Sequence, residues 1–245
     1  NGQAVELAPP HDHLGQTIGA WLPEDKVLYE MMKKSYDILV NHPINIDRKR
    51  QGLNPANSIW FWGAGTRPAL KSFKEKTGRN GVMISAVDLL KGIAVGASME
   101  NIIVEGANGG LHTNYRGKAQ AAVKALLEDG KDFAYIHIEA PDEMGHQGNL
   151  AHKIEAIESI DHYVVDTVVR AFEAAGEAYR LLILPDHPTP LRIRTHSSEP
   201  VPYLLYDSSL PVHNSGLYNE KQAKESGIYI AQGHTLIDRL FGKFI

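Results

Sequence analysis

From residue 118 onward, strand-length apolar runs alternate with helix-length segments, and this alternation restricts the fold more than any other feature. Lys118 to Leu127 reads as a helix stopped near Gly130, since glycine accepts the left-handed conformation that ends many helices. Phe133 to Glu139 (FAYIHIE) reads as a strand. Asn149 to Ala175 reads as a long helix, with Ile154, Ile157, Ile160, Val164, Val168 and Phe172 spaced by three and four. Tyr179 to Leu184 (YRLLIL) and Val201 to Tyr206 (VPYLLY) read as two more strands, and a last helix is expected within 227–240. Nearly continuous apolar strands joined by helical crossovers point to a mainly parallel sheet covered on both faces, an α/β architecture.

The first half follows a different grammar. Residues 1–25 are rich in Pro, His and Gly and read as loop. A helix is expected from Lys26 to Asn41, stopped at His42-Pro43 because proline disfavours helical geometry in the residue before it. Residues 47–57 read as polar loop. Strands are expected at 58–62, 82–86 and 102–105, with a short helix at 88–97 and a glycine loop, GANGG, at 106–110. These pieces suggest an α+β unit with its own sheet over residues 1–110, followed by a core over 111–245.

The chemistry gathers where the apolar strands stop. FAYIHIE runs into APDEMGH, YRLLIL runs into PDHPTP, and RTHSSEP precedes VPYLLY. In open parallel sheets, ligands bind at the carboxyl ends of the strands. That rule selects Asp142, His146, Asp186 and His187, with His196 in a loop able to fold over the same edge. Each motif alone has an ordinary reading. Asp-x-x-x-His suits a helix cap or a surface ion pair, and Asp186 suits a turn. Their joint placement favours a metal site. His137 reads as a packed core histidine, and His152 and His162 as solvated helix positions.

Composition narrows the donors. The 245 residues include no cysteine, which excludes disulfides, thiolate metal sites, iron–sulfur clusters and cysteine nucleophiles. Any metal must be held by nitrogen and oxygen, the donors suited to divalent manganese or zinc. Five such donors exceed the usual three of a single catalytic ion and suit a two-metal site for phosphoryl transfer. With 25 basic and 29 acidic side chains, no basic footprint for nucleic acid stands out. No apolar run approaches the roughly 18 residues of a membrane span.

The runs AYIHIEAPDEMGHQGNLAHKIEAIESID and ILPDHPTPLRIRTHSSEPVPYLLY closely resemble the archaeal-type cofactor-independent phosphoglycerate mutases of the alkaline phosphatase superfamily. The resemblance extends upstream through APPHDHLGQTIGAWLP, NHPINIDRKRQGLNPANSIWFWGAG, ISAVDLLKGIAVGAS and GANGGLHTNYRGKAQAA, and fades after residue 207. It implies a partial alkaline-phosphatase-like core, residues 111–245, and an inserted substrate-closing domain, residues 1–110. It implies a cytoplasmic glycolytic isomerase that interconverts 3-phosphoglycerate and 2-phosphoglycerate through a phospho-enzyme, with two divalent ions (Mn, Zn or Mg) and no need for 2,3-bisphosphoglycerate. One ion would take Asp142, His146 and His196. The other would take Asp186 and His187, plus an aspartate and a hydroxyl nucleophile from the first strand of the core.

Neither of those last two residues is found here. The chain begins at Asn1 inside what resembles the insertion, so the sequence reads as a fragment that is inactive by itself. Lys91 is a candidate for neutralising the transferred phosphate, against a reading as a solvated helix lysine. His11 and Asp12 could contact substrate or form a capped turn. Arg48, with Lys49 and Arg50, could bind phosphate or belong to a solvated loop. The GANGG loop reads as a hinge between insertion and core, and His112 stands where the family commonly has an acidic residue. The expected partner is a small phosphorylated substrate, with no nucleic acid and no membrane. Two alternatives are compatible with the same residues: a homoserine kinase-like phosphotransferase of the same family, and a metal-binding fragment without catalysis.

Overall fold

A computed structural model describes residues 5–66, 68–211 and 216–242. The chain divides into two compact units, Asn1–Ala69 and Leu70–Ile245.

In the first unit, α1 spans Lys26–Leu39 and α2 spans Pro43–Arg50. Asp25 caps α1, its carboxylate accepting from the amides of Val27 and Leu28. The expected stop at His42-Pro43 is also a start. His42 caps the second helix through its ring nitrogen, and Pro43 occupies the first turn, where its missing N–H costs nothing. Residues 47–50, expected in a loop, are therefore helical. The expected strand at 58–62 does not form. The buried Asn45 ties the backbone of Ala56 in both directions, and the Ser35 hydroxyl accepts the amide of Ile59. Side chains satisfy this stretch where a neighbouring strand otherwise would.

The second unit opens with α3 (Phe73–Thr77), closed at both ends by a Ser72–Glu75 capping box and a left-handed Gly78. Next come β1 (Gly81–Ile84), α4 (Asp88–Gly96), β2 (Glu100–Asn101), α5 (Tyr115–Leu127) and β3 (Phe133–Ile136). These strands form one parallel sheet in the order β2-β1-β3. β1 was expected in a separate sheet with 58–62 and 102–105, but it is the middle strand between β2 and β3. The division into compact units accordingly falls at residues 69–70, not at the glycine loop. The β2 ladder ends where Ile102 donates to the carbonyl of Met83, and Ile103 is three-quarters exposed. Val82 and Ile84 are buried beneath the small face of α5, where Ala122 and Ala125 let the helix approach the sheet closely.

Two further pieces complete the unit. α6 (Ala140–His146) leads to α7 (Leu150–Ile160), a π-type turn over Asp161–Val165, and α8 (Asp166–Ala175). The buried positions of this long helix recur every four residues: Ala156, Val164, Val168 and Phe172, with Ile160 partly buried between them. Ile154 and Ile157, expected on that face, are about half exposed. A pure α-helix drifts about 40° for every four residues, and the wider π turn recovers part of that drift. β4 (Arg180–Ile183) and β5 (Leu204–Asp207) then pair antiparallel, a departure from the mainly parallel expectation. The C-terminal stretch holds the short helices α9 (Glu220–Glu225) and α10 (Leu236–Leu240). Among the described residues, no helix is long and apolar enough to cross a membrane.

Candidate metal centre

The APDEMGH segment forms helix α6. Pro141 sits in its first turn, where proline is tolerated. Helical spacing places Asp142 and His146 one turn apart on one face, with His146 Nε2 3.2 Å from Asp142 Oδ2. His196 arrives from the β4–β5 connection. Because β5 runs antiparallel to β4, the end of β4 and the beginning of β5 lie at the same edge. Asp186 and His187, just after β4, and His196, before β5, are thereby returned to one side. His196 Nε2 lies 3.4 Å from Asp142 Oδ1 and 3.2 Å from His146 Nε2. One donor atom from each of Asp142, His146 and His196 falls within 4.8 Å of the others.

His146 Nδ1 lies 2.9 Å from the carbonyl of Arg194. A carbonyl only accepts, so Nδ1 carries the proton and Nε2 is the atom aimed at the site. An outer hydrogen bond of this kind fixes the tautomer and orientation of metal-binding histidines. The backbone of Arg194 is held at φ 54°, rare for a residue with a side chain. Its guanidinium packs so closely on Gly148 that a Cβ there would come 2.6 Å from Nε. The two imidazole nitrogens and the two carboxylate oxygens they face, 3.2–3.4 Å apart, repel one another where lone pairs meet unless a proton or a cation sits among them. Two imidazole nitrogens and a carboxylate oxygen are a donor set suited to a divalent transition metal.

The remaining groups frame this triad. The His187 and His196 rings lie 3.7 Å apart between centroids, and His187 Nε2 is 3.4 Å from Asp186 Oδ2. The His196 imidazole is held below its ordinary pKa, first by burial and next by His187. Thr189 escaped the sequence reading. It is buried, donates its hydroxyl to Asp142 Oδ1, and stands 3.3 Å from His187 Nδ1. Its only signal was its place two residues after the Asp-His pair. Gly145 lets α6 lie against this loop, for a Cβ there would come within 2.6 Å of the Thr189 carbonyl. Lys153 fastens the same carbonyl at 2.7 Å.

The other candidates lie elsewhere. Lys91 is on α4, after the carboxyl end of β1, with Nζ 3.1 Å from Asp88. His11, Asp12 and Arg48 belong to the first unit. His11 meets the ring of Trp62 edge-on at 5.1 Å, and Asp12 lies 3.9 Å from it. Arg48 donates from Nε to the carbonyl of Asn54 at 2.8 Å. His137 is half-buried, and its ring faces Ser85 at 3.2 Å. His152 and His162 are exposed, as expected.

An α/β unit with an Asp-His-His cluster beyond its strand ends defines a metalloenzyme-type protein. Residues 24–239 match the Metalloenzyme superfamily, and the chain belongs to that family. It is 44% identical, over 99% of its own length, to a probable 2,3-bisphosphoglycerate-independent phosphoglycerate mutase of Geobacter sulfurreducens, 61% of which it covers. It is 45% identical, over 94% of its length, to the 2,3-bisphosphoglycerate-independent phosphoglycerate mutase of Methanothrix thermoacetophila, 59% of which it covers. The solved structure of the PH0037 protein from Pyrococcus horikoshii superposes with a TM-score of 0.66 and 29% identity, over 82% of this chain and 51% of that one. The chain thus spans about three-fifths of the length of these curated relatives.

Proposed function

We propose that the full-length protein carrying this chain is a cytoplasmic, metal-dependent phosphoglycerate mutase that interconverts 3-phosphoglycerate and 2-phosphoglycerate without 2,3-bisphosphoglycerate. The observation that carries this reading is the convergence of Asp142, His146 and His196 on one point, in a chain so similar to proteins of that name. Asp142 Oδ1 and Oδ2 face different histidines, so one carboxylate organises both imidazoles. His146 keeps its proton on Nδ1, against Arg194, and offers Nε2. Asp186 and His187 are assigned to a second ion, with manganese, zinc and magnesium as the candidates.

Bound divalent ions supply charge neutralisation of the phosphoryl oxygens and activation of a hydroxyl nucleophile. The phosphoryl group moves from one glycerate hydroxyl to the enzyme and returns to the other. Positioning and charge stabilisation carry most of such a transfer. Lys91 is assigned to the phosphate, and His11, Asp12 and Arg48 to substrate contacts in the first unit.

The test is turnover of 3-phosphoglycerate by the full-length protein with Mn²⁺ and no bisphosphoglycerate. Conversion to 2-phosphoglycerate that is abolished by a chelator and restored by metal is expected. Sustained turnover after complete metal removal, or none with metal supplied, would overturn the reading.

A further inference from the structure

We infer that Lys118 is a positioning residue for the metal-binding helix: its ammonium clamps the turn between β3 and α6, and the glycine loop packs against the end of that turn at Glu139. Lys118 is fully buried, at 0% exposure, although it stands on a helix where lysines ordinarily reach solvent. Its Nζ donates to the carbonyl of His137 at 3.1 Å. His137 is the first residue after β3 and lies three residues before α6 begins.

The same residue is held on two further sides. Its amide donates to the carbonyl of Ile84 at 2.9 Å, extending the β1–β3 ladder by one rung. Its ring meets the Ser85 hydroxyl at 3.2 Å. Lys118 therefore adds a third hold on the residue where the chain leaves the sheet toward Asp142 and His146.

The glycine loop takes part in this bracket, where the sequence suggested a hinge. Glu139, the residue capping α6, presses its carboxylate against Gly109, and a Cβ on Gly109 would fall within 3.0 Å of Glu139 Cδ. The loop is fastened in turn to the start of α5. Asn114 donates to the Glu105 carbonyl at 2.8 Å and accepts the Gly117 amide at 2.8 Å. Burial lowers the pKa of Lys118 and raises that of Glu139, with each group offsetting part of the other's shift. Groups that orient ligands from behind typically change metal affinity about 10- to 100-fold when removed.

This inference rests on the metal-site reading, so its test carries one readout that needs no metal. In the full-length protein, Lys118→Met, Gly109→Ala and the control Lys124→Met are compared with wild type. Mn²⁺ affinity is measured by calorimetry, and amide hydrogen exchange is followed in the metal-free protein. Lys118→Met is expected to keep its far-ultraviolet circular dichroism, to bind Mn²⁺ about 10- to 100-fold more weakly, and to exchange faster over residues 140–147 than over β1 and β3. Lys124→Met, which loses only an exposed pair with Asp129, should match wild type in both. Should Lys118→Met fail to fold, Gly109→Ala decides, because it displaces Glu139 and leaves the lysine in place. Wild-type exchange over 140–147 in the folded variant, or wild-type affinity where wild type binds Mn²⁺, would overturn the inference. A wild-type protein that binds no Mn²⁺ would instead sink the metal-site reading, and exchange alone would then judge the bracket.

Discussion

Thr189 donates its hydroxyl to Oδ1 of Asp142, joining the loop after β4 to the helix that carries both Asp142 and His146. The opposite oxygen, Oδ2, faces His146. One hydroxyl thus fixes how the carboxylate is shared between the two histidines.

Replacing that hydroxyl should weaken metal binding without unfolding the chain. Thr189→Val keeps the shape of a buried side chain and removes its donor. The expected result is a loss of about 10- to 100-fold in divalent-metal affinity, the usual cost of an outer hydrogen bond to a ligand. Thr189→Ser should retain most of the affinity. Calorimetric titration of the three proteins is the check, and equal affinities would show that the hydroxyl plays no part.

The single parallel sheet predicts a sharp contrast between two isoleucines. Ile84 is buried on the middle strand, and Ile103 is exposed just beyond β2. Ile84→Ala should cost about 2–5 kcal/mol through lost burial and the cavity left behind. Ile103→Ala should stay within about 0.5 kcal/mol. Urea unfolding of both variants measures this. Comparable losses would place 102–105 in a buried strand after all.

The clustering of Asp142, His146 and His196 was legible because these residues sit in short motifs next to strand ends, where chain position alone limits where a side chain can be. The membership of β1 was not legible, because its pairing with β3 joins residues 52 positions apart, such as Val82 and Ala134. Nothing local records such a partner. The start of α2 was misread because proline ends one helix and opens the next with the same chemistry. Nothing in the sequence marked Lys118, since burial of its ammonium depends on a carbonyl in another element.

Stability should depend on acid through the β4–β5 pair. Asp207 accepts from the Ser209 hydroxyl at 2.5 Å and from Arg180 at 2.6 Å, and these hold its carboxyl down at about 2, from an ordinary 3.8. A carboxyl lowered on folding stabilises the protein above its unfolded value, and that contribution is lost as pH falls through the folded one. Asp207→Asn should therefore be less stable than wild type at pH 6, with the gap closing between about pH 4 and pH 2. Urea midpoints across that range give the comparison, and a gap independent of pH would contradict the assignment.

Asp142, His146 and His196 are expected to hold one divalent cation. Anomalous diffraction from crystals of the protein equilibrated with Zn²⁺ tests it most directly. A strong peak is expected at about 2.0–2.2 Å from His146 Nε2, His196 Nε2 and an oxygen of Asp142. Zinc bound elsewhere, with these three side chains outside coordination distance, would contradict it.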